Sequence, residues 1–236
     1  MRRAKVWLAA VAAVALFSGS AAPQVGTMKL ADTAIFIEIN DTDGDAGIQI
    51  FLDGEGWDSM RVFDPAGNKI LDIRAEGSVG IQGITELFFE SAEPSFEEQP
   101  LAELLALFPE GNYRFEGRTT DGVNLMGKAR LTHALPAGPL IVLPIEDDDS
   151  VDPDNTVIEW QLVPDPPDSK IVGYEVIVER ESPSLRVFSA DVGPTTTRVT
   201  VSPEFLQPGT VYKVEVLAIE TSGNQTISER QFETEK

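Results

Sequence analysis

The sequence contains no cysteine, and only one of its 236 residues is a histidine. Without cysteine there can be no disulfide framework, no thiolate nucleophile and no cysteine-ligated metal. A lipoprotein anchored through a cysteine at its cleavage site is excluded for the same reason, and a zinc site built on two histidines is excluded by the histidine count. Several classes of small secreted domain and metalloprotein are therefore ruled out.

Basic residues are also scarce: 18 Lys and Arg stand against 39 Asp and Glu, which gives a formal net charge of −21. Such a surface repels the phosphates of nucleic acids and of anionic membranes, so we expect no nucleic-acid partner. Hydrophobic residues make up 42% of the chain, enough to build a packed core. The balance suits an extracytoplasmic protein that attracts cations.

Catalytic motifs are missing as well. A Ser-His-Asp triad would have to use His133, but the sequence has no G-x-S-x-G turn, and we interpret His133 as a strand-end surface residue. Residues 77–83 do not match the G-x-G-x-x-G fingerprint, and no Walker A motif occurs. We therefore predict no catalytic residues and no cofactor. A glycosidase needs only two carboxylates, so a carbohydrate-active enzyme or its accessory domain is the alternative.

One apolar run stands out, and it lies at the N-terminus. Arg2, Arg3 and Lys5 precede the apolar residues 6–17, and the small residues 18–22 follow. This order is typical of a cleaved signal peptide, here residues 1–22, with cleavage beside Ala22 and a tether over residues 23–33. The run is too short to span a membrane comfortably, and no other segment is apolar enough. We expect a secreted or periplasmic protein without a membrane span in the mature chain.

Short β-branched segments separated by Gly, Pro and Asp turns follow the tether. This punctuation predicts an antiparallel β domain over residues 34–134. Its predicted strands are residues 34–40, 48–52, 59–63 and 69–73, with turns at residues 53–56 and 64–68.

One short helix interrupts this β pattern. Residues 84–89 fit either a strand or a helix, but residues 100–108 carry apolar side chains at helical spacing, which we expect to face the core. Ser95 and Glu98 have capping-box spacing, and Pro109 ends the helix. The apolar positions are Leu101, Leu104, Leu105 and Phe108.

A turn near the C-terminus carries the clearest signal of fold. Leu206-Gln207-Pro208-Gly209-Thr210-Val211-Tyr212 runs into an alternating strand, so the Tyr212 hydroxyl can reach back to the turn, as in a tyrosine corner. With Trp160 and Tyr174 upstream, the segment from residue 139 onward resembles a fibronectin type III domain. That resemblance implies a seven-stranded sandwich and says nearly nothing about activity. Residues 107–115, with Tyr113, repeat the turn and predict a second corner.

The strands of this domain alternate clearly. We predict Trp160, Tyr174, Leu206, Tyr212 and Val216 in its core, and residues 135–139 as a short stiff linker that places the domains end to end. The fold class is therefore all-β: two tandem immunoglobulin-like β-sandwich domains, the first with one short helix. The predicted strands of residues 140–236 are 140–143, 157–162, 171–180, 185–190, 197–201, 211–219 and 226–232.

Two acidic loops are candidate metal sites. Alternating carboxylates at the start of the first loop resemble an EF-hand, but Ala46 and Leu52 stand where its glycine and bidentate glutamate belong. Solvated turns are the alternative for both loops. The sequence thus predicts at most weak calcium binding, testable as a calcium-selective rise in melting temperature. The candidate ligands are Asp41, Asp43 and Asp45 in the first loop, and Asp147, Asp148, Asp149, Asp152 and Asp154 in the second.

Recognition loops give no partner. In fibronectin type III domains the loop before the last strand often carries an adhesion motif, but residues 220–225 contain no Arg-Gly-Asp. Asn40 and Asn224 begin glycosylation sequons, which matter only in a eukaryote. We therefore interpret the protein as a non-enzymatic binding or structural module for an unidentified protein or glycan.

Overall fold

The computed structural model describes residues 26–145 and 151–236, so the signal-peptide prediction and Asp147, Asp148 and Asp149 lie outside the described residues. The N-terminal domain is built almost entirely from strands, as predicted. Its strands are β1 (Thr27–Lys29), β2 (Asp32–Asn40), β3 (Asp45–Phe63), β4 (Lys69–Arg74), β5 (Ile84–Glu90), β6 (Gly111–Thr119) and β7 (Asn124–Leu131).

Strand β3 organises this domain because it belongs to both of its layers. Its first part pairs with β2 and β5, and after a register shift between Asp53 and Trp57 its second part pairs with β4 and β6. The predicted turn at residues 53–56 was wrong: it is a bend within one 19-residue strand. Glycine permits the bend, since a Cβ on Gly54 would lie 2.7 Å from the Leu30 side chain.

Residues 84–89, which fitted either a strand or a helix, belong to strand β5, and a short helix lies on each side of this strand in the sequence. Helix α1 (Gly77–Gln82) was not predicted, whereas α2 (Leu101–Leu107) confirms the expected helix. Leu104 is buried, and Leu101, Leu105 and Phe108 pack against the core, as expected. The capping box was wrong, because the N-cap of α2 is Pro100 and no side chain caps it. Ser95 instead accepts backbone hydrogen bonds in the preceding turn.

The domain also begins earlier than predicted. Residues 27–29, expected in the tether, form β1 and pair in parallel with β7. Leu30 is only 2% exposed and joins the core with Trp57, Tyr113 and Phe115. The apolar side chain of Leu30 explains the difference, since its burial draws the preceding residues onto the sheet.

All seven strands predicted for the C-terminal domain are present. Sheet β12–β9–β8 faces the strands β14–β13–β10–β11, and the five predicted core residues are all buried between them. Trp160 and Tyr174 meet with ring centroids 5.4 Å apart. These strands are β8 (Ile141–Leu143), β9 (Val157–Trp160), β10 (Ile171–Arg180), β11 (Leu185–Val192), β12 (Arg198–Thr200), β13 (Val211–Glu220) and β14 (Gln225–Glu233).

Every tyrosine is buried with its hydroxyl bonded to backbone. The Tyr212 hydroxyl accepts a hydrogen bond from the Gln207 amide at 2.7 Å, which confirms the corner. Tyr113 donates to the Pro109 carbonyl at 3.0 Å, so the repeated turn in the N-terminal domain is a second corner. Burial raises the pKa of Tyr113 to about 12, which keeps its hydroxyl a donor at neutral pH.

We expect Tyr212→Phe to lower the free energy of unfolding of the C-terminal domain by about 1–2 kcal/mol, because the Gln207 amide loses its acceptor. Urea melts of the full chain measure this, and Tyr113→Phe provides the matched change in the other domain. Pro109 is exposed, so water can replace that lost bond and the Tyr113 variant should cost less. An unchanged urea midpoint in Tyr212→Phe would refute a stabilising corner.

The two domains share one sheet. Residues 38–40 of β2 pair in parallel with residues 225–227 of β14, which creates an eleven-stranded sheet ordered β1–β7–β6–β3–β2–β14–β13–β10–β11, with β4 and β5 attached to β3. The predicted end-to-end placement thus includes backbone pairing that the sequence did not indicate. Among the described residues, no helix is long and apolar enough to cross a bilayer.

Candidate binding groove and interdomain junction

The loop between β13 and β14 inserts into the N-terminal domain. Asn224, the last residue of the loop before β14, is fully buried, and its Oδ1 accepts a hydrogen bond from the Ile37 amide at 2.9 Å. Its Nδ2 donates to the Thr132 carbonyl at 2.9 Å and to the Ala134 carbonyl at 3.3 Å. The side chain therefore extends the hydrogen-bonding edge of β2 and also fixes the start of the linker.

The rest of the junction is equally well bonded. The Thr226 hydroxyl donates to the Pro136 carbonyl at 2.8 Å, and the Glu229 amide donates to the Thr42 hydroxyl at 2.8 Å. Gly138 lies so close to the opposite strand that a Cβ there would be 2.7 Å from the Ser228 hydroxyl. Because these bonds fix the linker to the C-terminal domain and join the two domains directly, we infer that the two domains form one rigid body.

The loop between β13 and β14 therefore has a structural role within the chain. Residues 220–225 stand where fibronectin type III domains often carry an adhesion motif, which this sequence lacks, and here they contact the chain's own N-terminal domain. Glu220 is 1% exposed and accepts hydrogen bonds from the Ser222 amide at 2.9 Å and the Asn224 amide at 3.0 Å. The sequon at Asn224 is buried, so the folded chain could not accept a glycan there.

A cleft of about 940 Å³ opens beside this loop, between the domains. His133 lies in it, half-buried, with Nε2 2.9 Å from the Phe108 carbonyl. Its amide donates to Glu110 at 2.7 Å. Two of the three carboxylates that line the cleft, Glu110 and Glu220, thus hold backbone groups in place. Both contacts of His133 are to structural groups of the cleft, and the residue lies half-buried two positions after the end of β7 rather than on the surface as predicted.

A second concavity, of about 590 Å³, crosses the shared sheet on the face opposite the two cores. We call it the acidic groove. Strands of both domains line it, and six of its fifteen lining residues are glutamates, against one arginine. The lining residues are Phe36, Glu38, Asn40, Gln49, Phe88, Glu90, Glu93, Glu175, Ile177, Arg186, Glu215, Leu217, Gln225, Ile227 and Glu229.

On the C-terminal side of the groove, the carboxylates have basic partners. Lys213 Nζ lies 2.6 Å from Glu215 and 3.1 Å from Glu229. Burial works to lower the pKa of Lys213, but the hydrogen bonds to these two glutamates outweigh it and raise that pKa. Arg186 lies 4.0 Å from Glu175. Two cations thus stand against the three glutamates of this side, so its charge is partly compensated.

On the N-terminal side of the groove, the carboxylates lack basic partners among the described residues. Glu38, Glu90 and Glu93 each place a carboxylate oxygen within 4.8 Å of the others, and no Lys or Arg forms an ion pair with them there. Glu38 is 9% exposed and accepts a hydrogen bond from Gln225 across the domain seam, where β2 pairs with β14. Burial raises the pKa of Glu38, and the charge of Glu90 adds to the shift.

Glu93 shows the strongest effect of this crowding. Its side chain crosses Gly47, where a Cβ would lie 2.8 Å from Glu93 Cγ, so only glycine leaves room beneath it. Burial raises the pKa of Glu93 to about 7, and the charges of Glu90 and Glu38 contribute to the rise. A cation placed here would relieve the repulsion.

The shift of Glu93 predicts a pH dependence. A carboxyl whose pKa is raised by folding stabilises fully below its unfolded value of 4.5, and that stability is lost as pH rises through about 7. We expect the wild type to lose about 1 kcal/mol of unfolding free energy from pH 5 to pH 8 through this exposed, solvent-screened group. Urea melts of Glu93→Gln should lack this loss, whereas Glu97→Gln should retain it. Equal pH profiles for all three proteins would contradict the assignment.

The acidic loops predicted as metal sites are placed differently. Among the described residues, the three-glutamate cluster alone brings three carboxylates within 4.8 Å, so Asp41, Asp43 and Asp45 do not converge in that way. The amide of Asp41 instead bonds to the Ile227 carbonyl at 2.9 Å, which places this loop at the junction.

The described part of the second loop has a local role. The Asp152 carboxylate caps a 3-10 helix by accepting from the Asp154 amide at 2.9 Å. Both residues are exposed. Calcium binding at either loop stays a prediction, tested by the calcium-selective melt.

Sequence reasoning missed Glu38, Glu90 and Glu93. Strand alternation alone places Glu38 on the face opposite Ile37 and Ile39, and Glu90 opposite Phe89. What the sequence does not reveal is that β5 and β2 both flank β3, or that Glu93 folds back over Gly47.

Comparison with known protein families gives a match in the C-terminal half of the chain. Residues 148–234 match the model of the fibronectin type III domain, which confirms the predicted resemblance. No curated protein matches the chain.

Solved structures of fibronectin type III modules are similar over most of the chain. The fibronectin(III)-like modules of Clostridium thermocellum CbhA share 8% identity, with 87% of this chain and 93% of that chain covered and a TM-score of 0.37. A two-domain fibronectin type III segment of chicken tenascin shares 13% identity over 87% of this chain and 99% of that chain, with a TM-score of 0.32. Values this low carry no information about ligand or activity.

Proposed function

We propose that this chain is an exported, non-enzymatic binding or structural module whose two β domains act as one rigid unit. The observation that carries the proposal is the buried side chain of Asn224, which ties the last hairpin of the C-terminal domain to β2 and to the linker. A flexible tandem would leave β2 an open edge and this loop in solvent. The fibronectin type III match supports a module of this kind.

The contents of the interdomain cleft also favour binding over catalysis. A glycosidase needs one carboxyl to act as an acid and a second, ionised carboxylate facing the substrate. Glu110 and Glu220 are instead engaged by backbone amides of their own surroundings. The expected secreted or periplasmic location agrees with the acidic surface and with the N-terminal sequence, and a protein N-terminus close to Ala22 by mass spectrometry would support it.

Affinity capture tests the proposed role directly. The chain and its Asn224→Ala variant serve as parallel baits in medium and envelope extract from the native source, and we expect a saturable partner that the variant retains poorly because its domains are uncoupled. Asn155→Ala, an exposed change of the same type, should behave as the wild type. Equal capture by both variants, or polysaccharide cleavage by the purified chain, would contradict the proposal.

A further inference from the structure

We propose that the acidic groove binds an extended, Lys- or Arg-rich segment of a partner protein. The inference rests on the binding role proposed above and assigns it a surface and a partner chemistry. Six glutamates line the groove on both sides of the domain seam. Because one side is partly compensated by Lys213 and Arg186 and the other is not, charge complementarity calls for cations along the Glu38, Glu90 and Glu93 side.

The floor of the groove suits long basic side chains. Phe36 and Ile227 line the groove half-buried, so their apolar surface is open to a ligand, whereas Ile177 and Leu217 are each 3% exposed and are covered by their neighbours. Lysine and arginine lay their aliphatic stems on such surfaces while the charged ends reach acidic groups. Phe88, which is 55% exposed at the N-terminal end, offers a ring face to a cation.

The length of the groove fits a polypeptide. All lining residues except Glu93 come from seven adjacent strands, β5, β3, β2, β14, β13, β10 and β11. At ~4.8 Å between strands this spans roughly 29 Å, the length of about nine extended residues. A single metal ion would engage only the three clustered glutamates, and a neutral oligosaccharide would leave their repulsion in place. An extended basic segment engages both sides and the floor together.

Direct titration tests this assignment. Isothermal titration of the chain with a decapeptide of alternating Lys and Ser should give saturable binding that weakens as salt increases, and the Glu-Ser counterpart should not bind. Glu90→Gln combined with Glu93→Gln changes two exposed groove residues and should weaken binding about tenfold. At pH 8, where Glu93 is mostly ionised, Glu97→Gln combined with Glu98→Gln removes nearly the same charge outside the groove and should weaken peptide binding less than about twofold. Phe88→Ala added to Glu90→Gln and Glu93→Gln should weaken peptide binding further.

The possible outcomes separate this proposal from its rivals. Equal weakening in the two double variants would show attraction by net charge alone and would overturn the groove assignment. The assignment would also be overturned if the chain failed to bind the peptide but bound calcium, and Glu90→Gln plus Glu93→Gln abolished that calcium binding. Binding of a neutral oligosaccharide at the same residues would overturn it as well. The capture experiment has its own readout, so a partner caught without peptide binding would refute the basic-segment proposal and leave the binding role standing.

Discussion

Asn224→Ala is expected to lower the free energy of unfolding by about 3–5 kcal/mol and to split one unfolding transition into two. The substitution leaves the buried Ile37 amide and the half-buried Thr132 and Ala134 carbonyls without this partner, and a buried group that loses its partner costs about 1–3 kcal/mol. Since these bonds join the domains, their loss removes cooperativity as well as stability. Urea unfolding followed by fluorescence resolves the domains, because Trp57 and Trp160 lie one in each.

The matched change for this experiment is Asn155→Ala, which lies in an exposed 3-10 helix away from the junction. It should shift the unfolding free energy by less than about 0.5 kcal/mol, as surface substitutions usually do. A single, nearly unshifted transition in Asn224→Ala would show that the junction bonds are dispensable.

Trp57→Ala is the second large effect that we expect, with a loss of about 3–5 kcal/mol from the N-terminal domain. Trp57 is fully buried just after the bend in β3, where it pairs with Ile84 of β5 and Thr119 of β6. Removal of the indole leaves a cavity at the point where both layers meet. Thermal unfolding monitored by circular dichroism measures the loss, which should appear as a lower midpoint of the single transition expected while the junction is intact.

Trp57→Phe is the control because it retains most of the apolar volume. It also removes Nε1, a buried donor with no partner among the described residues. We therefore expect a loss of about 1 kcal/mol or less. If the Phe and Ala variants were equally destabilised, the indole volume would not be what stabilises the bend.

The C-terminal domain was predictable because its signals are local. Proline and glycine in the turn before Tyr212, and strict alternation through Val214 and Val216, encode corner and core within a dozen residues. Tyr113 was placed by the same signal. Residues close in sequence were therefore enough to predict both tyrosine corners and the strands that follow them.

The features that were missed depend on contacts distant in sequence. The pair Gly54 and Gly56 is typical of a turn, and only pairing with β2, β5 and β6 shows that β3 continues through it. Ser95 and Glu98 have the spacing of a capping box with Ser95 as its N-cap, but the N-cap of α2 is Pro100, five residues after Ser95. Spacing alone does not say which of two nearby starts packs better.

The junction was hidden for the same reason. Asn224 has the composition of an exposed loop tip, and nothing within the loop indicates that 187 residues earlier the Ile37 amide needs an acceptor. The acidic groove follows from the junction, because Glu38 and Gln225 meet only where β2 and β14 pair. Alternation identified the outward faces of these strands, whereas their adjacency is a property of the tertiary fold.

Whether the two domains tumble as one rigid unit can be measured by NMR ¹⁵N relaxation of the full chain. Backbone amides of β3 and β13 report the tumbling of the two domains separately. Because the domains share a sheet and the buried Asn224, we expect one rotational diffusion tensor to fit both sets of amides. Separate tensors, with each domain tumbling faster than a body of 236 residues allows, would contradict the account.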